Sequence, residues 1–137
     1  MSESGPPTEG FIVTASPEAL ALVAVAATAA SAKLAENIMA FDVSEQLVIT
    51  DAFVICSASN DRQVAAIVDA VEERARIELG QKPLRREGDR DARWILLDYG
   101  DVVVHVQHVE ERVYYSLERI WKDCPVIRLP AAAEASV

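Results

Sequence analysis

The chain has 137 residues, 51% apolar and 26% charged, a composition that supports one domain with a single core and excludes a largely disordered protein. Thirteen Lys and Arg stand against 22 Asp and Glu, a formal net charge of −9, which argues against grip on DNA or RNA phosphates and for partners with basic surfaces. Cys56 and Cys124 are too isolated for a disulfide scaffold, and the uncharged run from Ala19 to Ala32 is shorter than the ~20 residues of a membrane span, with no Lys or Arg before Lys33 to make it an export signal. A soluble cytoplasmic protein is expected.

Residues 1–15, with Gly5, Pro6, Pro7 and Gly10, are expected to form a flexible leader. Ser16-Pro17-Glu18 is a helix start: a hydroxyl cap, a proline whose missing N–H costs nothing there, and an acid at the positive end of the dipole. The helix is predicted to reach about Glu36, with Leu20, Val23, Ala27, Ala30 and Leu34 as its apolar stripe. The period then changes. Ile38 to Val43 reads as a strand, Ser44-Glu45-Gln46 as a turn, and Leu47 to Thr50 and Ala52 to Ser57 as strands interrupted by Asp51.

Asn60 offers the next cap, with Gln63 placed for a capping box, and Val64, Ile67, Val68, Val71, Ala75 and Leu79 make one face of a helix that Gly80 stops. Lys82 to Arg93 is the one locally basic segment, predicted as a short strand followed by a loop around Gly88. Trp94 to Asp98 and Val102 to Gln107 are predicted to pair about a Tyr99-Gly100 turn. The last helix is predicted over Glu110 to Trp121, with Val113, Leu117, Ile120 and Trp121 facing inward, and residues 128–137 form a flexible tail. The order implies one α/β (α+β) domain over residues 16–127, a mixed β-sheet of four to five strands flanked by helices.

Alternation sorts the hairpin into two faces. Ile95, Leu97, Val102, Val104 and Val106 are apolar throughout and belong under the helices. Trp94, Leu96, Val103, His105 and Gln107 mix an aromatic anchor, aliphatics and hydrogen-bonding groups, the composition of a partner-binding patch. The alternative places Trp94 in the core, covered by the Lys82–Arg93 segment.

Sites of chemistry are weakly marked. His105, His108, Cys56 and Cys124 fit no zinc spacing, so no metal is expected. Cys56-Ser57-Ala58-Ser59-Asn60 lacks the glycines of a nucleophile elbow. The competing enzyme reading is metal-dependent nucleotidyl transfer, with Asp89 and Asp91 or Asp98 and Asp101 as the acids. Asp89-Arg90-Asp91 has the right spacing but falls in a loop, and Asp98 and Asp101 are turn formers, so no catalytic residue is assigned. A third reading, RNA contact through Lys82 to Arg93, rests on that segment's local charge.

Four blocks carry a family resemblance: Asp51-Ala-Phe-Val-Ile-Cys-Ser-Ala-Ser-Asn-Asp-Arg62-Gln63-Val64; Arg86-Glu87-Gly88; Trp94-Ile-Leu-Leu-Asp98-Tyr-Gly100-Asp101-Val-Val-Val-His105-Val; and Glu111-Arg112-Val-Tyr-Tyr115-Ser-Leu117-Glu118-Arg-Ile-Trp121-Lys-Asp123-Cys-Pro125. In order and spacing, from about Leu34 to Pro125, they resemble the ribosomal silencing factor, or Iojap, family. The resemblance implies a nucleotidyltransferase-like fold without catalytic acids or cofactor. It further implies binding to ribosomal protein fourteen of the large subunit, blocked joining of the small subunit, repressed translation under nutrient limitation, and a homodimer when free. It places Trp94, Asp98, Asp101, His105, Arg112, Tyr115 and Glu118 on the partner surface, and the hairpin face adds Leu96. Trp94, Leu96 and Tyr115 would form a desolvated centre, and Asp98, Asp101 and Glu118 an acidic rim. Gln107, where the family usually has phenylalanine, and Val109 depart from the pattern.

Overall fold

The computed structural model describes residues 13–88 and 91–134. Helix α1 (Pro17–Ala32) precedes strands β1 (Glu36–Asp42) and β2 (Ala52–Ala58), helix α2 (Asp61–Leu79), strands β3 (Arg85–Gly88), β4 (Trp94–Asp98) and β5 (Val102–His108), and the short helices α3 (Val109–Tyr115), α4 (Leu117–Ile120) and α5 (Ala131–Glu134). The five strands make one mixed sheet in the order β1-β2-β5-β4-β3, with β2 and β5 parallel and the other pairs antiparallel. This is the expected α+β architecture. No helix among the described residues is long and apolar enough to cross a membrane.

One face of the sheet carries α1 and α2. Ile95, Leu97, Val102, Val104 and Val106 lie buried there with Val54 and Cys56 from β2. Leu22 and Val23 of α1 and Val64, Ile67, Val68 and Val71 of α2 pack in the same core. The five alanines and one leucine that surround Val23 among the buried residues of α1 leave little side-chain bulk, so its backbone approaches the sheet, α2 and α5 closely. Burial of α1 on several sides replaces the single stripe expected, and Leu34, placed on that stripe, lies beyond the helix and is exposed. The caps are those predicted. Ser16 Oγ accepts the Ala19 N–H, Asn60 Oδ1 accepts the Gln63 N–H, and Gly80 takes the left-handed conformation at φ +66°. The Gln63 side chain does not turn back to complete the box. It donates to the carbonyls of Lys33 and Leu34, tying the end of α1 to the start of α2.

Four expectations need correction. Leu47 to Thr50 is not a strand: Gln46 and Leu47 both donate to the Val43 carbonyl in a turn, and Val48 and Ile49 project outward. Asp51 accepts the Ser16 N–H through its carboxylate, while its backbone accepts the Val43 N–H and donates to the Asp101 carbonyl just before β2 begins at Ala52. The hairpin turn is Gly100-Asp101, closed by the Tyr99 N–H on the Val102 carbonyl at 2.9 Å, so Leu97 pairs with Val104 and Trp94 with Gln107. The predicted pairing moves by two positions in total, an even shift, and both faces keep the residues that alternation assigned them.

The last helix breaks at Ser116, a non-glycine residue at φ +47° whose N–H ends α3 on the Arg112 carbonyl. The break resets the helical phase, so Val113 and Ile120, predicted to face inward, are exposed while Leu117 and Trp121 pack on the second sheet face. The ends are also less loose than composition suggests. Leu129 and Ala133 are buried, α5 lies on α1, and Ser31 Oγ donates to the Ala132 carbonyl at 3.0 Å. Ala15 is buried and the N–H groups of Thr14 and Ala15 bond Asp42, whereas residues 1–12 of the expected leader and 135–137 of the expected tail lie outside the described residues.

The free edge of β1 is covered by the chain at 125–127. Asp42 donates to Pro125 and Ile127 to Ala40. The opposite edge, β3, carries Arg85, Arg86 and Glu87, charges that discourage pairing with another strand.

Candidate functional site

The second sheet face is half covered. Phe41, Ile55 and Cys124 form a small buried cluster there with Val43, closed by Phe53, Leu117 and Trp121. The β4 side stays more open, and Trp94 and Leu96, with Glu87 and Gly88 of β3, line a shallow groove. Gly88 permits the close fit of β3 on β4, since a Cβ there would lie 2.8 Å from the Trp94 carbonyl oxygen.

An aromatic row crosses this face. Tyr114 meets Tyr115, Tyr115 meets Trp94 at 4.9 Å between ring centroids, and Trp94 meets His105 at 6.0 Å. His105 meets Phe53 at 5.4 Å edge-on, and Phe53 meets Trp121 at 4.9 Å. Parallel pairing of β2 with β5 puts Phe53 and Ile55 beside Val103 and His105, a neighbourhood that local patterning does not encode. Sequence reasoning missed Phe53 and Tyr114 as members of the row. The alternation of Phe53 with Ile55 was their nearest signal for the first, and the Tyr114-Tyr115 doublet for the second.

The predicted residues fall into three settings. Trp94 and Leu96 are partly exposed on the open half, and Tyr115, 47% exposed, leans on Trp94 from α3. His105 and Arg112 lie inside, at 8% and 6% exposure. The Trp94 indole N–H donates to His105 Nδ1 at 3.2 Å, while Arg112 reaches Glu118 at 3.3 Å and Ser57 Oγ at 3.4 Å, holding α4 against α3 across the Ser116 break. Asp98 and Asp101 sit at the hairpin end. One Asp98 oxygen accepts the Gly100 N–H at 2.8 Å and the other pairs with Arg85 at 3.0 Å, and these contacts, the turn N–H foremost, hold its carboxyl below the usual range. Asp101 contributes its carbonyl, which accepts the N–H groups of Asp51 and Ala52.

Both acids of the turn are thus engaged in shaping it, Asp98 by its carboxylate and Asp101 by its backbone. Asp89, of the other proposed acid pair, lies outside the described residues. Among the described residues no three His, Cys, Asp or Glu side chains converge as a metal-ligand group. Cys56 is buried and its thiol is pushed up to about 12 by desolvation, so it is no nucleophile at neutral pH.

Three arginines of the basic segment are paired with carboxylates. Arg85 pairs with Asp98 and Glu87, Arg86 with Glu72 at 3.0 Å and Asp69 at 3.4 Å, and Arg93 with Glu110 at 2.7 Å and Glu111 at 3.2 Å. Exposed pairs of this kind contribute little stability, but they offset part of the local positive charge that phosphate binding requires.

Two predictions arise from buried polar groups on this face. Burial lowers the His105 pKa to about 4 from 6.5, so the fold prefers the neutral ring. The stability this contributes is complete above pH about 6.5 and is lost as pH falls toward 4, a change of about 3 kcal/mol. Unfolding free energies measured across that range should show the loss, and His105→Leu should remove it. Gln107 is fully buried beside Trp94 and Ser57, and neither of its amide atoms has a hydrogen-bond partner. Gln107→Met keeps the length and removes the unsatisfied amide, so it is expected to stabilise the fold by about 1–2 kcal/mol, seen as a higher melting temperature.

Comparison with known proteins gives a consistent result. A family model described as "Ribosomal silencing factor during starvation" matches residues 16–137. The chain is 43% identical over 108 residues to the ribosomal silencing factor RsfS of Bacillus subtilis, covering 79% of this chain and 91% of that protein. It is 31% identical over 132 residues to the chloroplastic protein Iojap of Zea mays, covering 94% of this chain and 56% of that one. Among solved structures, a Chromobacterium violaceum protein superposes with a TM-score of 0.72 at 28% identity, over 76% of this chain and 86% of that chain. One from Bacillus halodurans gives 0.68 at 39% identity, over 83% and 100%.

Proposed function

The chain belongs to the ribosomal silencing factor (RsfS) family, and from that membership we propose that it binds the large ribosomal subunit through ribosomal protein fourteen, blocks joining of the small subunit and represses translation when nutrients are limiting. The observation that carries this reading is the family match over residues 16–137, nearly all of the described fold. The open half of the second sheet face supports it, since Trp94 and Leu96 with Tyr115 provide an apolar centre of the kind that dominates interface energies.

Around that centre stand Asp98, Asp101 and Glu118. Two of the three are already paired with arginines, so the rim steers a basic partner through the net charge of −9 more than through free carboxylates. The same charge repels bare RNA, which selects a cationic protein surface on a particle rich in phosphate. Inhibition is steric and needs no chemistry: the protein acts as a regulator in the cytoplasm, occupying the joining surface. When free it pairs as a homodimer.

The test is direct. Purified protein is expected to co-sediment with isolated large subunits and to lower the yield of joined ribosomes when small subunits are added. Joining that proceeds undiminished with large subunits fully occupied would overturn the silencing mechanism.

A further inference from the structure

We propose that His105 is a positioning residue for the binding face: its unprotonated Nδ1, set below the surface, accepts the Trp94 indole N–H and fixes the ring against Tyr115. The proposal rests on the reading of the Trp94 face as the ribosome-binding surface.

An indole N–H can only donate, so the 3.2 Å contact requires a bare Nδ1 and assigns the ring proton to Nε2. In an imidazolium both nitrogens carry hydrogen, and two N–H groups would face each other. Protonation and the Trp94 contact therefore exclude one another. The surroundings favour the neutral ring. Its strand neighbours are Ile55 on β2 and Leu96 on β4, and Phe53 stands edge-on to it. The charged groups on the elements packed about it are engaged elsewhere: Asp98 of β4 with Arg85 of β3, and Arg112 of α3 with Glu118 of α4.

His105 is itself too buried to make much contact with a partner, whereas Trp94 and Tyr115 reach the surface. A histidine in this place acts through the tryptophan. With its acceptor removed, the indole N–H either stays unsatisfied or turns toward water, and the ring leaves the orientation in which Tyr115 supports it.

The chain has two tryptophans, so Trp121→Phe leaves Trp94 as the only indole reporter. In that background His105→Leu is expected to shift Trp94 emission to the red and to weaken binding to isolated large subunits roughly tenfold. His105→Asn, whose Oδ1 can take the place of Nδ1, is expected to restore the emission and most of the binding. With Trp94→Phe, which has no N–H to hold, His105→Leu should add no further loss. Equal losses from the Leu and Asn variants whatever residue stands at 94, or unchanged binding by His105→Leu where Trp94→Ala weakens it, would overturn the proposal. If Trp94→Ala binds normally while His105→Leu still shifts the emission, the positioning of the ring stands and the reading of this face as the binding surface falls.

Discussion

Trp94→Ala is expected to lower affinity for isolated large subunits about a hundredfold, the effect of removing a central aromatic anchor from an interface. The loss should appear mainly as faster dissociation, because the charges that set the encounter rate are untouched. The ring sits on the open half of the sheet, between Tyr115 and His105, so its removal exposes the His105 acceptor without hollowing the main core under α1 and α2. The variant should remain folded by circular dichroism and melting. A folded Trp94→Ala protein that co-sediments as tightly as wild type would remove Trp94 as the anchor.

The largest stability effect is expected elsewhere, at a residue that stood in no predicted site. Asp42, at the end of β1, is almost wholly buried, and its carboxylate accepts bonds from the Thr14, Ala15 and Ser44 N–H groups and from Ser44 Oγ. Burial alone would raise its pKa, but the bonds from Ser44, Thr14 and Ala15 outweigh burial and hold the carboxyl below the ordinary value. Asp42→Ala leaves the buried Ala15 N–H unsatisfied and frees the start of α1, a loss of about 3 kcal/mol or more by denaturant unfolding. Because the folded pKa is lowered, this contribution is present above pH about 4 and disappears as pH falls through the folded value. It therefore fades at lower pH than the His105 contribution, and the two can be separated in one acid titration of stability.

How much of this was legible in the sequence depends on the range of the interaction. Ser16, Asn60 and Gly80 cap helices through contacts three to six residues away, so the ends they set were readable from local chemistry. The two hairpin faces were readable for the same reason, since alternation survives an even shift of register. The position of the turn was not, because Asp98 bonding the Gly100 N–H competes with the Tyr99-Gly100 alternative by a margin that patterning does not express. The Ser116 break lay hidden for a different reason: a serine at positive φ is locally unfavourable, and it is held there while Arg112 pairs with Glu118 and Leu117 and Trp121 find a core.

The sequence by itself determined the α+β class, the helix caps, the side of the hairpin that would be buried and the family to which the chain belongs. These follow from periodicity, capping chemistry and motif spacing, all properties of nearby residues. Tertiary structure alone decided that His105 and Arg112 lie beneath the face instead of on it, that Phe53 from β2 continues the aromatic row, and that Arg85, Arg86 and Arg93 meet carboxylates from β4, α2 and α3. Each depends on strands and helices far apart in the chain meeting in one register, and an ionised or aromatic side chain has no fixed role until its neighbours in space are known.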